Sequence, residues 1–182
     1  ASDVYKRQIM LVMALPFVFA SCGDDKDEPS QPTNNNFTIP VLDWNASQAT
    51  VKGKVKGLSL DIENAETLAY TTNGDYPFYI YAFENDKLEA SSLAVSVEMD
   101  EEKDLMGFLE ERYVLVEEDE EDFIYADASN YEDATVAVVY GLDAENDQVV
   151  ATWVPVDHSR GGAVVNTYFH NKHLGVAREL AK

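Results

Sequence analysis

The side chains best suited to chemistry are few and unevenly placed. All three histidines, His158, His170 and His173, fall after Val156. The spacing of His170 and His173 puts both rings on one face of a helix, where Asp157 or His158 would add to a transition-metal ligand set. No His-Glu-x-x-His arrangement surrounds them, so they are weak metal candidates only, and no cofactor is expected. Nucleophilic catalysis has less support still: there is no Gly-x-Ser-x-Gly elbow and no phosphate-binding glycine loop, and Ser159 beside His158 is adjacency in sequence rather than a triad. The acidic runs 117–122 and 143–147 offer carboxylates, but neither has the sharp glycine and distal bidentate glutamate of a calcium loop, so both read as solvated turns. No residue is assigned a catalytic role, and the chain is expected not to be an enzyme.

Aromatic residues are more suggestive. Tyr76, Phe78, Tyr79, Tyr81 and Phe83 share one run with Ile80 and Ala82, and in a strand successive side chains face opposite sides of the sheet. Phe78, Ile80 and Ala82 suit a helix-covered side. Tyr79, Tyr81 and Phe83 are then expected to face outward, as a binding surface for a sugar or a protein or as a stabilising cross-strand ladder.

The elements that must position these residues follow from periodicity. Residues 37–42 read as a short extended lead-in confined to an edge by Pro40. Asn45 with Gln48 three residues on makes a capping-box arrangement, and Val51 and Val55 lie one turn apart before Gly57. Strand-like runs follow at 58–62, 67–72, 76–83 and 88–97, with Asn73-Gly74-Asp75 as a strong hairpin signal. A second helix opens at Asp100, with Leu105, Met106, Leu109 and Tyr113 as its apolar stripe. Four more strands are expected at 113–116, 123–128, 134–142 and 148–156. The pattern predicts an α+β fold: an antiparallel sheet built from two helix-plus-four-strand repeats, 37–98 and 99–156, with the helices packed on one face. The segment 157–182 is a tail of unsettled order in which Leu174, Val176, Ala177 and Leu180 mark a short helix.

The front of the chain carries the strongest address. Cys22 is the only cysteine, so no internal disulfide forms and stability rests on a packed core. It follows an apolar run, 9–20, that is too short for a membrane span of about 20 residues but suits a secretory signal. Ala20-Ser21-Cys22 resembles the processing site of bacterial lipoproteins, which implies a signal peptide at 9–21 and lipidation of Cys22. Phe19 stands where that family usually places an aliphatic residue. The acidic, proline-bearing stretch 22–36 cannot bury enough apolar surface to fold and reads as a disordered tether. Its Asp24, Asp25, Asp27 and Glu28 resemble the export cluster of Bacteroidota surface lipoproteins. Residues 1–8 resemble the translation of a sequencing adapter, which would leave the native start at Met10 or upstream of it.

The formal charge of −21 repels nucleic acid, while ten Tyr and eight Phe are ample for a core. Pro40-Val41-Leu42-Asp43-Trp44, Tyr79-Ile80-Tyr81-Ala82-Phe83, the stretch from Leu109 to Tyr113, and Trp153-Val154-Pro155 resemble uncharacterised Bacteroidota envelope lipoproteins. The helix-plus-four-strand unit resembles, in shape, the modules of β-lactamase-inhibitor-like and outer-membrane assembly-factor lipoproteins, whose recurrent glycine before the first helix is replaced here by Trp44-Asn45-Ala46-Ser47. These resemblances imply a lipid-anchored outer-membrane protein, at the cell surface or facing the periplasm, that serves as a noncatalytic binding or assembly module for a protein or glycan. The alternatives are a small metal-dependent or hydrolytic envelope enzyme using the C-terminal histidines, and a purely structural envelope protein.

Overall fold

A computed structural model describes residues 37–97, 101–118, 122–143, 147–159 and 162–181. The leader, Cys22 and the tether lie outside the described residues, as do the expected cap Asp100 and the middles of both acidic runs. The first helix, α1 (Gln48–Lys54), is capped by Ser47, whose Oγ accepts from the Thr50 amide at 3.3 Å. Asn45 is not the cap. It sits at φ 66°, and its amide donates to the Leu88 carbonyl at 3.1 Å, tying the chain to the sheet before the helix begins. Gln48 reaches the Asn64 carbonyl at 2.8 Å rather than closing a capping box. At seven residues α1 is too short to persist alone, and the fully buried Val51 holds it down.

Four strands follow, β1 (Ser59–Glu63), β2 (Thr67–Thr72), β3 (Asp75–Glu84) and β4 (Lys87–Ser96). Asn73 and Gly74, then Asn85 and Asp86, sit at positive φ in the two tight turns, the twist that two-residue hairpins require. Helix α2 (Glu101–Glu110) leads to β5 (Val114–Glu118), β6 (Asp122–Ala126), β7 (Val136–Asp143) and β8 (Gln148–Pro155). Helix α3 (Tyr168–Leu180) ends the chain. The strands form one antiparallel sheet in the order β1-β2-β3-β4-β8-β7-β6-β5. Strand β4 therefore pairs with β8 at the centre, from Ser91 against Trp153 to Ser96 against Gln148.

The fold is α+β, as the helix and strand periods predicted, with α1 and α2 on the same face. Val51, Leu105 and Leu109 pack there with Leu68, Tyr70, Leu88, Leu93, Val138 and Trp153. The lead-in 37–42 is no edge strand. It crosses this face, with Phe37, Val41 and Leu42 packed on the core and the Phe37 ring edge-on to Phe108 at 6.0 Å. The second face is not open either. Ala177, Leu174 and Leu180 of α3 cover Ala69, Phe78, Ile80, Ala94 and Val150. The short tail helix expected from Leu174, Val176, Ala177 and Leu180 is thus real, longer than its apolar positions indicated, and docked.

Leu105 is fully buried beneath α2, whereas Leu115 lies half-exposed on the edge strand β5. Leu105→Ala should lower the unfolding free energy by about 2–5 kcal/mol. Leu115→Ala should change it by about 0.5 kcal/mol or less. Urea titration of both variants measures the contrast.

Candidate functional site

Tyr79, Tyr81 and Phe83 do not form an outward binding face. They are 5, 2 and 2 % exposed and point into the core beneath α1, α2 and the lead-in. Both sides of β3 are buried, so alternation along the strand could not reveal which side was open. Their polar ends hold the lead-in. The Tyr79 hydroxyl lies 3.3 Å from the Thr38 amide and 3.1 Å from its Oγ1, and Ser91 Oγ donates to the Val41 carbonyl at 2.6 Å. Burial raises the Tyr81 phenol well above its ordinary range, so it stays protonated at any physiological pH.

The second face carries a polar seam along the central strand pair. Ser92 and Thr152 are direct partners across β4 and β8. Ser92 Oγ donates to Thr152 Oγ1 at 2.8 Å. Two rings from α3 cap this pair: His170 Nδ1 lies 2.9 Å from Thr152 Oγ1, and His173 Nδ1 hydrogen-bonds Ser92 Oγ. With the Ser92 proton directed to Thr152, the His173 ring carries its proton on Nδ1 and donates it to Ser92. Both imidazoles are buried, and neither Nε2 has a hydrogen-bond partner among the described residues. Asp122 Oδ1, at 3.8 Å from His170 Nε2, is too distant for a hydrogen bond.

Burial disfavours the imidazolium form, pushing His170 down to about 4 and His173 down to about 3. His173 is further depressed by its neighbours His170 and Lys172. Both rings are therefore neutral at pH 7. The close approach of His170 depends on Gly141 of β7, where an added Cβ would lie 2.6 Å from His170 Nε2 and 2.5 Å from Asp122 Oδ1.

The helix spacing brings His170 and His173 together as expected, but His158 does not join them. Its Nε2 donates to the Ala134 carbonyl at 2.8 Å, because Asp157 pairs with Val164 and turns that segment away. Among the described residues no three His, Cys, Asp or Glu side chains converge as a metal set. Ser159 likewise forms no triad, its amide capping Asp157 Oδ1 at 2.8 Å. The hydroxyl–imidazole pairs have the residue types of nucleophilic chemistry but no route to a substrate, since Ser92 and His173 are both 0 % exposed.

The accessible feature is a groove of about 930 Å³ between the start of α3 and the β3–β4 hairpin. Gln48, Asn85 and Asn166 bring amides to its walls, Glu66, Glu84 and Glu89 carboxylates, and Tyr168 and Lys172 come from α3. Lys172 Nζ pairs with Glu66 at 2.7 Å, joining α3 to the start of β2. Partial burial and the nearby Glu84 raise the Glu89 carboxyl above its usual range. Tyr168 is 64 % exposed, the most exposed large hydrophobic side chain among the described residues.

Sequence reasoning missed Ser92, Thr152, Asp122, Gly141 and Tyr168. The only local signal was that Ser92 and Thr152 put hydroxyls into otherwise apolar strands. No family model, curated protein or solved structure matches this chain. Gly141→Ala should destabilise the protein by about 1–3 kcal/mol, because the methyl group must displace the His170 ring. Loss of α3 protection in hydrogen exchange, with α1 and α2 unchanged, would locate the damage.

Proposed function

We propose that the chain is a lipid-anchored envelope protein, held through Cys22 at the outer membrane on its surface or periplasmic side, that acts as a noncatalytic binding module for a glycan or a protein. The observation that carries this reading is the groove beside α3. It combines one exposed aromatic ring, Tyr168, with amide and carboxylate side chains. That is the chemistry sugars are recognised by: a flat apolar face for the ring and paired donors and acceptors for the hydroxyls. The groove therefore favours a glycan over a protein as occupant.

The enzyme alternative would work through His158, His170 and His173, of which His170 and His173 are enclosed beneath their own helix and His158 is held apart at the Ala134 carbonyl. We further read the two halves as copies of one helix-plus-four-strand unit. The irregular register of β1 on β2, at Leu60/Ile62 opposite Tyr70 and Ala69, recurs in β5 on β6, at Leu115/Glu117 opposite Tyr125 and Ile124. No helix among the described residues is long and apolar enough to cross a membrane, and the anchor is assigned to Cys22 on its sequence context.

Tyr168→Ser should reduce retention of the protein on immobilised bacterial and plant polysaccharides by tenfold or more while leaving its melting temperature unchanged. If the unaltered protein binds none of them, the glycan reading fails. Cys22→Ala should move the protein from the membrane pellet to the soluble fraction of cells that process lipoproteins. Retention in the pellet would overturn the anchor.

A further inference from the structure

Most helices docked on a sheet are held by apolar contacts alone. Helix α3 has an apolar half, around Leu174, Ala177 and Leu180, and a polar half in which two buried imidazoles sit on two buried hydroxyls. The groups facing the rings from each packed element are few. On α3 itself there is Lys172. Strand β4 presents Ser92, β8 Thr152 and β7 the side-chain-free Gly141. Strand β6 presents Asp122, whose Oδ1 lies 3.8 Å from His170 Nε2. A proton on His173 would be buried beside a second imidazole and beside Lys172, whose own charge is paired with Glu66 at 2.7 Å.

We infer that α3 is an acid-released strap: protonation of His170 and His173 lifts the helix from the second face of the sheet and dismantles the groove. Asn166, Tyr168 and Lys172 line that groove and all belong to α3 or its approach, so whatever is bound there leaves with the helix. The consequence for a ligand rests on the proposed binding function; the release of the helix does not.

The direction follows from linkage. Both rings are depressed in the docked state below the ordinary histidine value, so the undocked helix binds more protons. Docking is fully favourable above about pH 6.5 and weakens as pH falls toward 4. With two rings, the opening constant of α3 should rise about 50-fold between pH 6 and pH 5.

Hydrogen exchange on the full chain, corrected for intrinsic rates, reads this directly. Amides of α3 should open about 50-fold more readily at pH 5 than at pH 6, while α1 and α2 keep their protection. Flat α3 protection over that interval would overturn the proposal. Asparagine keeps a donor near the Nδ1 position without a titrating ring, so the His170→Asn, His173→Asn double variant should lose the acid response. If the double variant responds as the parent does, surface carboxylates cause the opening and the proposal fails. If it does not fold, His173→Asn alone should cut the response to about sevenfold, and ring titration of the parent by NMR decides independently, because rings titrating near 6.5 in the docked helix would refute it. Tyr168→Ser should retain the acid response, so failure of the glycan reading and failure of the strap are distinguishable.

Discussion

The pairing of β4 with β8 is the constraint on which the rest of the molecule depends. These strands come from different halves of the chain, and their ladder from Ser91–Trp153 to Ser96–Gln148 turns two four-stranded meanders into one sheet. Being central, both are covered on both sides, and every residue from Ala90 to Ser96 and from Gln148 to Val154 is buried. A sheet buried twice needs two layers to cover it. The helices that precede each meander supply one, and the C-terminal helix supplies the other.

The two layers are built on different chemistry. Beneath α1 and α2 the side chains are large: Trp153, Tyr81, Phe83, Leu93, Leu105 and Leu109. Trp153 Nε1 there donates to the Tyr113 hydroxyl at 2.9 Å. Beneath α3 the sheet offers Phe78, Ile80 and Val150 beside the small residues Ala69, Ala94, Ser92 and Gly141. The hydroxyl–imidazole contacts there leave two ring nitrogens unsatisfied. The first face thus holds the larger apolar cluster, and the second joins an apolar cluster to a polar seam.

What could be read in advance was what is local. The Asn73-Gly74 turn, the boundaries of β2 and the apolar stripe of α2 depend on neighbours within a few residues, and they lie where the residue types placed them. The strand from Tyr76 to Phe83 was recognised as a strand, but its facing was not. A run that is apolar at every position has no polar phase to break the tie, and it took α3, some 90 residues away in sequence, to bury Phe78 and Ile80. Asn45 looked like a helix cap because capping residue types also suit positive φ, and the backbone bond to Leu88 decided between the two uses. The polar seam was hidden for a similar reason: Ser92 and His173 are separated by 81 positions, and nothing near either one announces the other.

Gly141 has one more consequence. The strand order runs outward in matching steps on the two sides of the β4–β8 pair, where Ser92 faces Thr152. By strand pairing, the counterpart of Gly141, opposite Asp122 on β6, is Ala82, opposite Thr67 on β2. A ring approaching Ala82 as His170 approaches Gly141 would meet a methyl group where Gly141 has none, and no carboxylate beside it. The missing methyl group at Gly141 thus leaves room for the His170 ring on that side of the central strand pair.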